Sequence, residues 1–381
     1  MVEPQHTSFD VAVVGGGVCG LVVAWRARER GLTVCLFDRG AFGAGATHVA
    51  AGMLAPVSEA DAGERDLLML GLQSARRWPS FADELGDLTG IDVGYRPSGA
   101  LVVARDRDEA ESLDRELALR QRMGLEVSQL LPSQARALEP ALAPGIRAAL
   151  EVASDHSADP RALVTALVAA SRAAGAELRE RTEVTRLLVA GDHVSGLEIG
   201  GGEQVVAANV VFAAGAWTDA IAGVPPSARV PVRPVKGQII RLRDPAGPGL
   251  LDRVVRYDGG YVVPRGDGTY VLGATQEERG FDTSLTGLGI YELLRDAQEI
   301  VPGLLELEVT ETQVGLRPAT PDNAPVLGAS RELGGLHWAT GHHRNGILLA
   351  PMTGELLAAE LAGEQAAPDA FSPRRFAQVA S

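Results

Sequence analysis

The chain has 381 residues, a length that suits two domains built around one large core. It carries 49 acidic against 35 basic residues, and the resulting net charge of −14 argues against binding to nucleic acid or to an anionic membrane. This charge still allows an anionic small substrate, because one well-placed arginine is enough to bind a carboxylate.

The first residues show no targeting or membrane signal. Residues 1–6 lack the basic region that opens a secretory signal peptide. The uncharged run over residues 11–25 is too short to cross a bilayer and is broken by glycines. Cys19 and Cys35 have neither metal-ligand nor redox spacing, so we expect buried free thiols. We therefore expect a soluble protein of the reducing cytoplasm.

A glycine-rich loop follows the first predicted strand, which spans the β-branched run 11–14. Gly15, Gly17 and Gly20 have G-x-G-x-x-G spacing and precede a predicted helix over residues 21–30. In this order the glycines permit a tight turn, close approach of a pyrophosphate and close helix–strand packing, so the segment predicts a dinucleotide site. The helix N-terminus adds free N–H groups for the phosphates. The motif does not distinguish FAD from NAD.

An acidic residue ends the second predicted strand, which spans residues 33–37. It is Asp38, 23 residues after Gly15, and the dinucleotide fingerprint expects an acidic side chain about 20 residues on, where it binds ribose hydroxyls. An unrelated surface aspartate is the alternative. Residues 39–56 are too rich in glycine for regular structure and too apolar for a solvated loop, so we expect them to lie against a ligand.

The middle of the chain predicts the rest of a nucleotide-binding domain. Asp159 as N-cap and Pro160 at the first helical position begin a helix that Gly175 ends. Three short β-runs and an apolar strand follow it, and together they complete a doubly wound domain. The runs span residues 176–189, 193–199 and 204–207, and the strand spans residues 209–214. Before this unit, helices are predicted over residues 63–85 and 107–123, with a strand over residues 95–104.

A second β-rich region follows, and the chain then returns to the first domain. The β-rich region has strands over residues 230–242, 253–264, 269–274 and 308–316 and a helix over residues 291–301. The last strand, turn and helix span residues 335–340, 341–346 and 347–361. This second strand–turn–helix unit would direct a helix dipole at an electron-rich ligand, although an ordinary connecting loop is the alternative. His342 and His343 are adjacent and no other ligand cluster exists, so no metal site is predicted.

Six motifs in order complete a pattern that resembles a known family. Besides the glycine loop they are AAGML at 50–54, PVRPVKGQ at 231–238, GYVVPR at 260–265, LGAT at 272–275, GLRPATPD at 315–322 and GHHRNGILLAP at 341–351. Together they resemble the FAD-dependent D-amino-acid oxidase superfamily, and within it the glycine oxidases of thiamine biosynthesis. The resemblance covers nearly the whole chain.

The resemblance implies an oxidase that removes a hydride from the α-carbon of glycine, another small amine or a D-amino acid. N5 of FAD accepts the hydride, dioxygen is reduced to hydrogen peroxide, and the imine is hydrolysed to glyoxylate and ammonia or used for the thiazole of thiamine. The FAD would be non-covalent, since the C-terminal half has no cysteine. If the amine is bound in its neutral form, hydride transfer needs only alignment of the Cα–H bond with N5 of FAD, so we do not propose a general base. Homo-oligomers, tetramers among them, and imine transfer to a thiazole synthase are further implications.

The implied fold is α/β, with a Rossmann-like FAD-binding domain that is discontinuous in sequence. Its three parts would span residues 1–90, 150–225 and 320–381. The substrate domain would be an α+β unit on an antiparallel sheet, formed by residues 91–149 and 226–319.

The resemblance also implies roles for three active-site residues. Arg317 would bind the substrate carboxylate, Tyr261 would donate its hydroxyl to the same carboxylate, and Arg344 would lie near the flavin. The guanidinium fork of Arg317 suits carboxylate binding, because it offers two parallel charge-assisted hydrogen bonds. The alternatives are an arginine at a strand end, a tyrosine that packs into the sheet, and an arginine that caps a turn.

The implied cofactor contacts come from four parts of the chain. They are Gly15, Gly17, Val18, Cys19, Gly20, Asp38, Arg39, Ala46, Thr47, Ala51, Gly52, Met53, Val184, His342, His343, Arg344, Asn345, Gly346, Ile347 and Leu348. Three positions depart from some relatives: Gln276 replaces Met, His343 replaces Tyr or Phe, and Gly259 replaces a larger side chain. These departures leave the preferred substrate open. A sarcosine-oxidase-like enzyme, a D-amino-acid dehydrogenase and a non-enzymatic flavin-binding subunit are the alternatives, and retention of Arg317 and Tyr261 argues against the last.

Overall fold

The computed structural model describes residues 8–376, which form eight α-helices, eighteen strands and several short 3-10 turns. The helices are α1 (Val18–Glu29), α2 (Ala46–Val49), α3 (Arg65–Thr89), α4 (Arg107–Arg122), α5 (Pro132–Leu138), α6 (Pro160–Ala173), α7 (Gly287–Ile300) and α8 (Ala350–Leu361). The first nine strands are β1 (Ser8–Val14), β2 (Val34–Phe37), β3 (Met53–Leu54), β4 (Ala100–Ala104), β5 (Ser128–Leu130), β6 (Ala148–Val152), β7 (His156–Ser157), β8 (Glu177–Arg179) and β9 (Val184–Ala190). The other nine are β10 (His193–Ile199), β11 (Gln204–Phe212), β12 (Arg233–Arg243), β13 (Val254–Tyr257), β14 (Gly260–Pro264), β15 (Thr269–Gly273), β16 (Glu308–Ala319), β17 (Val326–Ala329) and β18 (Leu336–Thr340).

The first large sheet has a parallel centre. Its order is β17-β18-β11-β1-β2-β8, with β9 and β10 attached to β11 as an antiparallel meander. Helices α1, α3, α6 and α8 pack on one face, around side chains such as Trp25 and Leu163. The meander covers the opposite face, where Leu187 and Leu197 pack on Phe212. The domain is therefore not doubly wound by helices, because antiparallel strands bury the second face.

The second large sheet is mainly antiparallel, in the order β16-β12-β15-β14-β13-β4-β6-β5. Side chains alternate between its faces, as strand geometry requires. Ile240 on one face belongs to a core with Leu293 and Ile300 of helix α7. Ile239 on the other face packs with Val49, which belongs to the first half of the molecule. This second face carries Tyr261 and borders the site described below.

The strands of the two sheets fall in the sequence segments expected for the two domains, except that β6 (Ala148–Val152) of the second sheet crosses the predicted boundary at residue 149. β1, β2, β8–β11, β17 and β18 belong to the first sheet, and β4–β6 and β12–β16 belong to the second. The division at residues 90, 149, 225 and 319 stays a prediction, which this strand membership supports. Among residues 8–376 no helix is long and apolar enough to cross a bilayer.

Several element boundaries differ from the sequence-based expectation. The two expected β-segments at 204–207 and 209–214 form one strand, β11, which ends at Phe212, because β1 and β10 pair with it on either side. Residues 176–189 split into β8 at the parallel edge and β9 in the meander. The last helix begins at Ala350 instead of residue 347, since Leu349 N–H bonds the Asn345 carbonyl and closes a separate turn first. Strands β5, β6 and β17 carry weak sequence signals and were not predicted.

Candidate functional site

A cavity of about 1320 Å³ runs from the glycine loop to the second sheet. The β1–α1 loop, the segment 38–53 and the turn after β18 line one part, and strands β14 and β16 line another. Ordinary small-molecule pockets measure about 300–1,000 Å³. The cavity is therefore large enough for a dinucleotide together with a small substrate.

The glycine loop has the close backbone contacts that a pyrophosphate site requires. Gly15 has φ +107°, and a Cβ on it would collide with the carbonyl of Ala213, the residue that directly follows β11. A Cβ on Gly20 would collide with the carbonyl oxygen of Gly15, so this third glycine allows helix α1 to pack on strand β1. Gly17 and Val18 at the start of α1 border the cavity. Because helix N-termini bind phosphate through free N–H groups, the loop fits a dinucleotide.

Asp38 lines the cavity and organises the glycine loop. Its Oδ2 accepts a hydrogen bond from Gly16 N at 2.7 Å, and its Oδ1 accepts one from Gly40 N at 2.7 Å. Beyond it, the Arg39 guanidinium lies 4.5 Å from the ring centre of Trp217, and both residues line the cavity. A contact between Asp38 and a ribose stays a prediction, because its carboxylate here binds the backbone of two loops.

The segment 39–56 contains a short helix, α2, that the sequence did not predict. Thr47 in α2 accepts a hydrogen bond from Val18 N at 3.2 Å, which links this segment to the first turn of α1. Arg265 of the second sheet donates to the Ala51 carbonyl at 2.7 Å, and Arg161 of α6 donates to the His48 carbonyl at 3.2 Å. Contacts from both halves of the molecule therefore hold this wall of the cavity.

Arg317 and Tyr261 lie on the cavity face of the second sheet, on β16 and β14. Two glycines on the intervening strands make room for them. A Cβ on Gly237 would lie 2.5 Å from Arg317 Nη1, and a Cβ on Gly273 would lie 2.6 Å from the Tyr261 hydroxyl. The PVKGQ and LGAT motifs contain these glycines, but the sequence alone gives no reason to connect them with the two side chains.

The charge state of this pair favours a bound carboxylate. Arg317 Nη1 donates to the Thr275 carbonyl at 3.1 Å, and within residues 8–376 no carboxylate forms an ion pair with Arg317. Burial raises the pKa of Tyr261, and the positive charge of Arg317 partly offsets this rise. The phenol therefore stays protonated near neutral pH and can donate a hydrogen bond. A guanidinium without an ionic partner among the described residues and a donor hydroxyl are groups that can bind a carboxylate, and that role stays a prediction.

Arg344 also lines the cavity, but carboxylates already surround it. Its Nε lies 3.2 Å from Glu59 Oε2, and its Nη2 lies 3.9 Å from Glu64 Oε2. In this arrangement Arg344 joins the turn after β18 to the segment 59–64. Its role beside a flavin stays a prediction.

The two adjacent histidines are held in their neutral forms. Burial lowers the pKa of His342 to about 4, and its Nε2 lies 2.9 Å from Thr353 Oγ1. Burial also lowers the pKa of His343 to about 4, with a further lowering from Arg317 and Arg344. In the part of the chain that the structure describes, no three His, Cys, Asp or Glu side chains come together as metal ligands.

The structure brings the predicted site residues together around one cavity, with two exceptions. Gly20 lies behind the loop, where it packs on Gly15. Leu348 faces helix α3, where its carbonyl accepts hydrogen bonds from Ser74 Oγ at 2.6 Å and Trp78 Nε1 at 2.9 Å. The other predicted residues line the cavity, as do Gly259 and Gln276. Ser58, Glu59 and Arg256 line it too, although no motif in the sequence marks them.

Comparison with known proteins identifies the family. A family model described as "FAD dependent oxidoreductase" (DAO) matches residues 10–360. The chain is 36% identical over 352 residues to a protein named glycine oxidase from Geobacillus kaustophilus, covering 92% of each chain. It is 35% identical to a bifunctional protein ThiO/ThiG from Trichormus variabilis, over 98% of this chain and 56% of that protein.

The fold comparison agrees with the sequence comparison. The crystal structure of glycine oxidase from Geobacillus kaustophilus superposes with a TM-score of 0.88 at 35% identity, over 96% of this chain and 98% of that one. The family match and the relatives decide the nucleotide, which the glycine loop alone left open. The chain belongs to the DAO family of FAD-dependent oxidoreductases, and FAD is its cofactor.

Proposed function

We propose that this enzyme oxidises glycine, or another small amine or D-amino acid, to the corresponding imine. The observation that carries this proposal is the Arg317 guanidinium, which has no carboxylate partner within residues 8–376 and lies beside the protonated Tyr261 hydroxyl in the cavity that begins at the glycine loop. The relatives named glycine oxidase support the same substrate class.

The two side chains bind and orient the substrate. The fork of Arg317 offers two charge-assisted hydrogen bonds to a carboxylate, and the Tyr261 hydroxyl donates a further one. Three donors to one carboxylate fix the α-carbon, and such positioning lowers a barrier without a proton-transfer group. His343, whose pKa is lowered by burial and by the charge of Arg317, is neutral and adds no further positive charge to this part of the cavity. When bound, FAD supplies the hydride acceptor, and we propose dioxygen as the final electron acceptor, with hydrogen peroxide as product.

The fate of the imine is a separate part of the proposal. Free imine would hydrolyse to glyoxylate and ammonia. The relative named ThiO/ThiG, of which this chain spans 56%, supports a second route in which the imine passes to a thiazole synthase for thiamine. Homo-oligomeric assembly and a cytoplasmic location stay predictions, as do the individual contacts of the site residues with FAD.

The test is a substrate screen on the purified flavoprotein. Glycine, sarcosine, D-alanine and D-proline are mixed with it anaerobically, and the bands of oxidised flavin are followed. We expect glycine or another of these amines to bleach them, and a peroxide-coupled assay to report turnover in air. Bleaching without peroxide formation would indicate a dehydrogenase with another acceptor. If none of the amines bleaches the flavin, the proposed oxidase function is wrong.

A further inference from the structure

Beside Tyr261 the cavity contains a carboxylate, Glu59, that contacts two arginines. Its Oε1 lies 3.4 Å from Arg256 Nη2, and its Oε2 lies 3.2 Å from Arg344 Nε. The Glu59 side chain is only 13% exposed, and it lines the cavity with both arginines. Glu59, Arg256 and Arg317 all influence the pKa of Tyr261, so their charges act close to the hydroxyl that we assign to substrate binding.

We propose that Glu59 restricts this site to amines with a single carboxylate, because it occupies the two arginines that would otherwise bind a second one. The inference rests on the proposed function and adds the substrate class to it. A monocarboxylate substrate needs only Arg317, which has no acidic partner among the described residues. A dicarboxylate would need Arg256 or Arg344 as well, and Glu59 already pairs with both.

Glu59 would act by repulsion as well as by occupancy. Its negative charge lies where the second carboxylate of a substrate would have to approach the arginines. Electrostatic effects are larger in a partly buried site than in water, so a like charge at contact distance is a strong barrier. Selecting one ligand by making another unfavourable is a common source of specificity. Removing the charge while keeping the side-chain shape should therefore admit dicarboxylates.

The segment before Glu59 is fixed by buried charged groups. The fully buried Asp155 carboxylate accepts hydrogen bonds from Val57 N at 3.0 Å and Ser58 N at 2.7 Å. Arg120, only 4% exposed, donates to the carbonyls of the same two residues at 2.9 and 2.6 Å. With both its N–H and its C=O groups held, this segment cannot easily move Glu59 away from the arginines. The position of Glu59 is therefore part of the folded site.

The decisive experiment compares one ligand pair on the flavin-loaded protein. Acetate and malonate are titrated into wild type and Glu59→Gln, and binding is read from the perturbation of the flavin absorbance and from the rise in melting temperature. The quantity compared is the dissociation constant of malonate divided by that of acetate. We expect this ratio to be about tenfold or more lower in Glu59→Gln than in wild type. Glu306→Gln removes the same charge at an exposed position and should leave the ratio as in wild type.

A double variant and a turnover assay test whether the tighter binding of malonate in Glu59→Gln depends on the arginines. In Glu59→Gln/Arg344→Gln the preference for malonate should return toward that of wild type. Iminodiacetate, which is glycine with a second carboxymethyl group, should gain turnover relative to glycine in Glu59→Gln. Should Glu59→Gln fail to load flavin, Glu59→Ala carries the same expectation in the melting-temperature assay.

An unchanged malonate-to-acetate ratio in a folded Glu59 variant would overturn the inference. The binding readout needs no turnover, so it decides the role of Glu59 even if no amine reduces the flavin. If no amine reduces the flavin, the proposed function is wrong, but the preference for malonate over acetate can still be measured. Conversely, turnover of glycine with no change in the ligand ratio would retain the proposed function and reject the role of Glu59.

Discussion

The guanidinium of Arg317 lies over Gly237 of the neighbouring strand, in space that a Cβ at that position would fill. Such a Cβ would be 2.5 Å from Nη1 and 2.7 Å from Cζ of Arg317. Gly237 therefore determines where the Arg317 guanidinium, which forms no ion pair with a carboxylate among the described residues, can lie. This relationship joins two motifs that are about 80 residues apart in the sequence.

Gly237→Ala should displace the Arg317 guanidinium and raise the KM for the substrate carboxylate by about tenfold or more, which corresponds to about 1.4 kcal/mol. Steady-state kinetics and carboxylate titration check this. Gly86→Ala in helix α3 is the matched control, because a Cβ there meets nothing within 4 Å. That control should be neutral or slightly stabilising, since alanine favours a helix over glycine. Equal kinetics in both variants would show that Gly237 does not set the position of Arg317.

Arg317→Ala should weaken binding of the substrate carboxylate by about 2–4 kcal/mol, because the carboxylate would be left in the cavity without its charged partner. The measurement is the apparent KM for glycine, together with the dissociation constant of acetate. Arg317→Lys should recover only part of the loss, since an ammonium lacks the planar fork. An apparent KM equal to that of wild type in Arg317→Ala would refute the assigned role.

Asp38→Ala should weaken FAD retention without altering which amines are oxidised. The Asp38 carboxylate bonds the backbone N–H of both Gly16 and Gly40, so its removal loosens the glycine loop even before any ribose contact is considered. The flavin-to-protein ratio after dialysis measures the effect. Asp87→Ala, an exposed change in helix α3, controls for the lost charge. Full flavin occupancy after Asp38→Ala would count against this expectation.

Lowering the pH should decrease the free energy of unfolding, because His342 is buried in its neutral form. Its pKa is about 4 in the folded chain against 6.5 for the free group, so below pH 6.5 the unfolded state binds more protons. The free energy of unfolding should then fall as the pH drops from 6.5 toward 4, by about 2 kcal/mol between pH 7 and pH 5 for this one group. Denaturant unfolding at the two pH values measures this, and His342→Gln should reduce the difference. An equal pH dependence in wild type and variant would exclude His342 as its source.

Local patterns in the sequence were sufficient for most of the helices and strands. The glycine spacing before α1 and the Asp159–Pro160 start of α6 depend on neighbouring residues alone, and both were predicted and found. The start of α8 at Ala350 was missed, because the turn before it is closed by a bond from Leu349 to Asn345 that no local signal marks. Strand β17 was also missed, because it forms by pairing with β18 and its own residues carry only a weak strand signal.

The dinucleotide loop, the β-rich second region and, through six motifs, the resemblance to FAD-dependent amino-acid oxidases were all predicted from the order of residues along the chain. These depend on residues close together in the chain or on whole motifs. Which charges meet in the cavity depends on the packing of distant segments: Glu59 pairs with Arg256 and Arg344, while Arg317 is left without a carboxylate among the described residues. Such ion pairs form only when the two sheets pack against each other, and the spacing of residues along the chain does not specify that packing.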